Sequence, residues 1–233
     1  MQLENNEAIV NVIEGNGFNY RVSLKQPVNT FLNKIIRVER YVNRPLASVI
    51  VRLVFNTRIT PNGLTYFSFL LGLAGAFFLS RGHYLQVVAG GILIQLSAIV
   101  DCSDGMLARS KNMCSEYGSH LDIFLDRIID FTMIMGMSIG VYTATANKNL
   151  LILGCLGAGL YLLQVNLFYI TNSYLRAKET GQTGEARALM FLVVMIFSIA
   201  NRLDWGIYLL LLETMFNILA RLIHFIRLGR KKD

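Results

Sequence analysis

His83–Arg127 reads HYLQVVAGGILIQLSAIVDCSDGMLARSKNMCSEYGSHLDIFLDR. Up to Val100 the stretch is apolar on every side of a helix, a pattern that suits a bilayer better than a globular core. Two carboxylates, Asp101 and Asp104, close this run (His83–Ala108), and two more, Asp122 and Asp126, open the next (Gly118–Thr143). Working outward, the chain holds four further apolar runs: Leu64–Ser80, Leu150–Ser173, Arg187–Ala200 and Trp205–Ile226. A spanning helix needs about 20 residues, with a range of roughly 17–25. The six runs therefore predict an all-α polytopic membrane protein with six transmembrane helices, the fifth being the shortest. None shows the two-residue alternation of a membrane barrel. With 54% hydrophobic and only 16% charged residues, and a mean hydropathy of +0.47, an ordinary soluble domain is excluded.

Charge sets the expected orientation. Of the 22 Lys and Arg residues, only Arg81, Lys148 and Arg202 fall in the loops on the far side of a six-span layout. The other side, which carries both termini and the two acidic pairs, is expected to be cytoplasmic, in a cell-membrane protein. A pI near 9.5 then calls for no nucleic acid, since anionic lipid headgroups and phosphate-bearing substrates account for it. The first 27 residues are polar and acidic, unlike a cleavable signal peptide. Cys102, Cys114 and Cys155 have no metal-ligand spacing and are expected to be free thiols.

Ahead of the spans, residues 1–27 form a polar segment with a candidate hairpin. Its two alternating stretches, Ala8–Ile13 and Phe18–Leu24, flank Gly15-Asn16-Gly17. Residues 28–59 read as interfacial amphipathic helices. Phe31, Leu32, Ile35, Ile36 and Val38 mark one segment; Leu46, Val49, Ile50, Leu53 and Val54 mark a second, begun at Pro45. Thr60-Pro61-Asn62 predicts a capped helix start. From there a membrane unit, 60–228, leads to a basic tail, 229–233.

The acidic pairs carry the chemistry. Spacings of three (Asp101, Asp104) and four (Asp122, Asp126) put each pair on one helix face. A short turn between the helices lets the pairs face each other. Four carboxylates so placed repel one another, and an acidic residue costs about 2.5–3.5 kcal/mol at a span centre, less near its end. Arg109 and Arg127 offset part of that charge. An all-oxygen ligand set suits hard divalent cations such as Mg²⁺, Mn²⁺ or Ca²⁺; two of them, expected to be Mg²⁺ with Mn²⁺ as the alternative, would clamp the attacking and leaving oxygens of a displacement at phosphorus. Gly105 leaves room for a phosphate or base beside the acids, small Ala108 lies on the same face, and Arg109 can grip phosphate oxygens. Asp130 continues the Asp122–Asp126 face and is expected either to orient a ligand or to pair with an arginine.

The full pattern Asp101-x2-Asp104-Gly105-x2-Ala108-Arg109-x8-Gly118-x3-Asp122-x3-Asp126 resembles the signature of the CDP-alcohol phosphotransferases. The resemblance implies that Asp101, Asp104, Asp122 and Asp126 bind the metals. It also implies that Asp126 is the general base toward the acceptor hydroxyl. Asp101, Gly105, Ala108, Arg109 and Gly118 would hold the CDP moiety, with Asn62 and Thr65 beside them. A homodimer is implied as well, and CMP would be the leaving group.

Substrate identity rests on weaker features. Ser173-Tyr174-x-Arg176-Ala177-Lys178-Glu179, followed by Gly184-x2-Arg187, resembles the branch that makes phosphatidylinositol phosphate or its archaeal ether-lipid equivalent. Arg176, Lys178 and Arg187 would then bind a phosphorylated acceptor; an ordinary positive-inside loop has the same composition. Met190 departs from that branch, where a second arginine is common. Glu39-Arg40-Tyr41-x-Asn43-Arg44-Pro45 instead resembles the membrane half of enzymes making di-myo-inositol phosphate phosphate, whose donor is a CDP-polyol. Two other classes compete. A prenyltransferase would carry separated aspartate clusters without the Asp-Gly-x2-Ala-Arg element. A transporter would place its acids near the midplane, commonly with internal repeats.

Overall fold

Local chemistry fixes the helix starts. At Thr60 the side-chain oxygen accepts a hydrogen bond from the Gly63 amide (3.2 Å), and Pro61 occupies the first helical position. Ser115 likewise accepts from the Gly118 amide at 3.0 Å. Such caps satisfy amides that a helix cannot pair internally. The computed structural model describes residues 8–13, 19–24, 38–174 and 182–229, with side chains over 38–167 and 187–223.

Strands β1 (Ala8–Ile13) and β2 (Asn19–Leu24) pair antiparallel from Ala8 opposite Leu24 to Ile13 opposite Asn19. This is the hairpin that the alternation about Gly15-Asn16-Gly17 suggests. The expected helical segment around Phe31–Ile36 lies outside the described residues. A wide π-type turn, Glu39–Asn43, leads into α1 (Arg44–Val54). Then follow α2 (Pro61–Ser80), α3 (Tyr84–Ser110), α4 (Glu116–Thr145), α5 (Lys148–Tyr174), α6 (Gln182–Ile199) and α7 (Leu203–Gly229).

Each predicted apolar run corresponds to one of the helices α2–α7. Among the described residues, α2, α3, α4, α5 and α7 are long and apolar enough to cross a membrane, with mean hydropathies of 1.3–1.9. The described part of α6, Arg187–Ile199, is apolar but shorter. An integral membrane protein is the reading that these helices support.

Helix α2 packs on α3 and α4, α6 on α3, and α5 on α4 and α7, while α1 lies against α3. A core including Leu79, Ile94, Met133, Met137 and Phe191 runs through the bundle. Close approach of α2 and α4 depends on two glycines. A Cβ at Gly136 would strike the Ala76 carbonyl oxygen, and one at Gly140 the Leu79 carbonyl oxygen. Backbone cannot yield as a flexible side-chain tip can, so overpacking here exceeds its usual cost of about 1–3 kcal/mol. Gly140→Leu is therefore expected to lower the unfolding temperature in detergent by many degrees. A melting curve matching the wild type would refute this account of the α2–α4 contact.

The loops holding Arg81, Lys148 and Arg202 lie between α2 and α3, α4 and α5, and α6 and α7. At the opposite end the C-terminus of α3 meets the N-termini of α2 and α4. Lys111 ties this end together, its Nζ donating to the Thr57 and Ile59 carbonyls at 3.0 Å each.

Candidate active site

Helices α3 and α4 bring three of the four motif carboxylates together: one ligand oxygen each from Asp101, Asp122 and Asp126 lies within 4.8 Å of the others. The fourth, Asp104, is also tied to α2: its Oδ2 accepts a 2.5 Å hydrogen bond from Thr65 Oγ1. That hydroxyl also lies 3.2 Å from the Pro61 carbonyl, so its proton is shared between two acceptors. Thr65 and Asp104 are both buried.

Two cavities flank the acids and share Asp104, Gly105, Arg109, Ser119 and Asp122 as a common wall. The first, about 310 Å³, is lined by Asn62, Thr65, Gly105, Ala108, Arg109 and Gly118 together with loop residues. These are six of the seven positions expected to hold CDP. The seventh, Asp101, lines the other cavity. Small residues keep the first cavity open. A Cβ at Gly118 would come within 3.0 Å of Asn62 Oδ1, and one at Gly105 would sit 3.4 Å from Arg109 Nη1.

The second cavity, about 360 Å³, is bordered by all four motif aspartates and by Arg187. Its outer wall includes Glu39, Asn43 and Arg44 from the π-type turn and the start of α1. Glu39 Oε1 accepts from Arg44 Nε (3.0 Å) and Nη2 (2.7 Å). Asn43 is anchored on α3 by a 2.8 Å hydrogen bond from Gln95 Nε2 to its Oδ1.

Arg187, on α6, spans three carboxylates. Nη1 reaches Asp101 Oδ2 at 3.1 Å, Nη2 reaches Asp126 Oδ1 at 2.7 Å, and Nε reaches Asp130 Oδ1 at 2.9 Å. Its guanidinium carbon lies 4.7 Å from the centre of the Phe191 ring. Behind it, Asp130 is fully buried; its Oδ2 accepts from Tyr161 OH (3.1 Å) and pairs with Arg127 Nη1 (3.3 Å). Asp130 thus pairs with arginines, one of its two expected roles. Arg176 and Lys178 lie outside the described residues. Met190 packs against the hydrophobic core, so the position where an arginine is common carries no charge.

An oxygen-only ligand set fits a hard divalent cation. One orphaned atom agrees: Asp122 Oδ1 is buried with no hydrogen-bond partner among the described residues, a condition that normally needs an explanation such as an ion. Tyr161, Phe191 and Gln95 were not singled out by the sequence. A tyrosine or glutamine inside an apolar run carries no local signal of a buried partner.

Fold and site together define a helical membrane protein with a double cavity walled by carboxylates at one end of its bundle. Residues 58–223 match the CDP-alcohol phosphatidyltransferase family, and the chain belongs to that family. It is similar to the archaetidylinositol phosphate synthase of Pyrococcus horikoshii, at 27% identity over 169 residues, covering 70% of this chain and 81% of that protein. It also resembles the bifunctional IPC transferase and DIPP synthase of Rubrobacter xylanophilus, at 37% identity over 109 residues and 47% of this chain. The match spans only 24% of that bifunctional protein's length, and 22% of its Aquifex aeolicus counterpart. Among solved structures, the Mycobacterium tuberculosis phosphatidylinositol phosphate synthase with CDP-DAG bound superposes with a TM-score of 0.59. Identity is 18%, and the match covers 78% of this chain and 92% of that one. The same enzyme in complex with manganese and citrate gives a TM-score of 0.58 at 18% identity, covering 78% of this chain and 87% of that one. At this identity the likeness concerns the fold.

Proposed function

We propose that this protein transfers a substituted phosphate group from a CDP-alcohol to an acceptor alcohol with release of CMP, in phospholipid synthesis with a phosphorylated polyol such as inositol phosphate as acceptor. The observation that carries this reading is the pair of cavities sharing a wall with Asp104 and Asp122. A two-substrate transfer needs one space for each reactant on either side of the reacting groups, and positioning supplies much of the catalysis at phosphorus.

On the first side, Asn62, Thr65, Gly105, Ala108, Arg109 and Gly118 receive the cytidine diphosphate; Arg109 offers its planar fork to phosphate oxygens. On the second side lies the acceptor, with Arg187 facing its phosphate and Arg176 and Lys178 contributed by the segment between α5 and α6. Asp126 takes the proton of the acceptor hydroxyl. The acceptor oxygen then forms a bond to the phosphorus that carries the donor alcohol. The bond from that phosphorus to the oxygen bridging it to CMP breaks, and CMP departs with the electron pair. Asp101, Asp104, Asp122 and Asp126 would hold two divalent cations, Mg²⁺ or Mn²⁺, which supply charge neutralisation for the diphosphate and the leaving group.

The same reading takes α6 as a sixth span, places the site on the cytoplasmic face and treats residues 60–228 as the catalytic unit of a homodimer. In this reading α1 lies in the headgroup plane. Exposed Leu46, Val49 and Leu53 on α1, beside Arg52, support that placement. The resemblance of residues 39–45 to the bifunctional enzymes favours a second reading, with a CDP-polyol donor and a soluble phosphodiester product. Glu39, Asn43 and Arg44 border the acceptor-side cavity.

CMP release by purified protein with Mg²⁺ tests both readings. CDP-diacylglycerol, a CDP-ether lipid and CDP-inositol serve as donors; inositol 1-phosphate, glycerol 3-phosphate, inositol and serine serve as acceptors. Release with a phosphorylated acceptor and a lipid donor is expected. Release only with CDP-inositol supports the soluble product, and release only with an unphosphorylated acceptor rejects the phosphate role of Arg187.

A further inference from the structure

The two ends of the Arg187 guanidinium face different surroundings. Its terminal nitrogens meet Asp101 and Asp126, which line the second cavity along with Arg187 itself. Its Nε meets Asp130, which is fully buried on α4 and lines neither cavity. Asp130 is in turn held by the Tyr161 hydroxyl from α5 and by Arg127 Nη1. Phe191, one helical turn beyond Arg187, supplies a ring 4.7 Å from the guanidinium carbon.

A guanidinium is a planar fork whose value for binding phosphate depends on its direction. A flexible arginine would have to be ordered at each binding event. Here Nε is bonded from behind and the plane is packed on a ring, so the direction of the fork is set beforehand. Both oxygens of Asp130 are engaged, Oδ1 by Arg187 and Oδ2 by Tyr161 and Arg127, and a buried group held in this way has little freedom to turn. We propose that Asp130 and Tyr161 are positioning residues for acceptor binding, fixing Arg187 through its Nε so that its terminal nitrogens present themselves to the phosphate of the acceptor. The inference rests on the reading of Arg187 given under the proposed function.

A purely structural role, tying α4, α5 and α6 together, would lower stability without distinguishing one substrate from the other. The test therefore compares Michaelis constants. Full-length wild type, Asp130→Asn and Tyr161→Phe are assayed in detergent with Mg²⁺, varying inositol 1-phosphate at saturating donor and then the donor at saturating acceptor. Loss of a hydrogen bond to a charged group corresponds to a change of roughly tenfold or more. Asp130→Asn is expected to raise the acceptor KM at least about tenfold, and Tyr161→Phe about threefold, with the donor KM within about twofold of wild type. Unchanged acceptor KM in both variants overturns the proposal, as does a parallel rise in both constants. If Asp130→Asn does not fold, Tyr161→Phe decides by the same criterion, because it leaves the charges in place. Wild type that uses only unphosphorylated acceptors would remove the reading beneath the inference. Active wild type with insensitive variants would remove the inference alone.

Discussion

Asp126→Asn is expected to fold like the wild type and to release CMP about 10²–10⁴-fold more slowly, the range typical for loss of a positioned general base. The substitution keeps the size of the side chain and an oxygen that can still accept from Arg187 Nη2, now 2.7 Å from the carboxylate. What it removes is the capacity to take a proton at the edge of the acceptor-side cavity. The decisive assay is CMP release at saturating donor and acceptor, beside a thermal unfolding curve in the same detergent. A stable variant that works within tenfold of wild type would dismiss Asp126 as the base. A variant that also fails to unfold cooperatively would point to a structural part for the Arg187–Asp126 pair.

That experiment bears on a residue whose neighbourhood was only partly readable from the chain. Helices α2–α7 were legible because lipid demands long apolar runs, and the polar cap at Thr60 stands out against them. Asp122 and Asp126 were legible as one face because a four-residue spacing fixes it. Their union with Asp101 required a facing helix, which the short turn at residues 111–115 supplies. By contrast, Arg187 is 86 residues from Asp101, and nothing local distinguishes an arginine that reaches into a carboxylate cluster from one that decorates a loop. The Thr65–Asp104 hydrogen bond was hidden for a related reason. Spacing puts Asp104 on a face with Asp101, but it cannot tell which acceptor a neighbouring hydroxyl will choose. Tyr161 lies in an apolar run, where the usual expectation is an amphipathic ring at the membrane boundary; in the fold its hydroxyl turns inward to Asp130.

Chelation should have the largest effect of all. Treatment of the purified protein with EDTA is expected to abolish CMP release, with full recovery on adding excess Mg²⁺ and measurable recovery with Mn²⁺. Two carboxylates within 4.8 Å repel by at least about 3 kcal/mol at an effective dielectric of ~20. Arg187 offsets part of that repulsion at Asp101 and Asp126, while Asp122 Oδ1 is buried without a hydrogen-bond partner among the described residues. Asp122 is thus the carboxylate with most to gain from a cation. Asp122→Asn removes one charge from the ligand set, and the Mg²⁺ concentration giving half-maximal activity is expected to rise at least about tenfold, as commonly follows disturbance of a metal site's supporting groups. A single ratio separates this from general damage: excess Mg²⁺ should restore part of the lost rate in Asp122→Asn but none in Asp126→Asn, where the missing group handles a proton. Equal Mg²⁺ dependence in wild type and Asp122→Asn would mean that Asp122 is no ligand, and full activity in EDTA would remove divalent metals from the reaction.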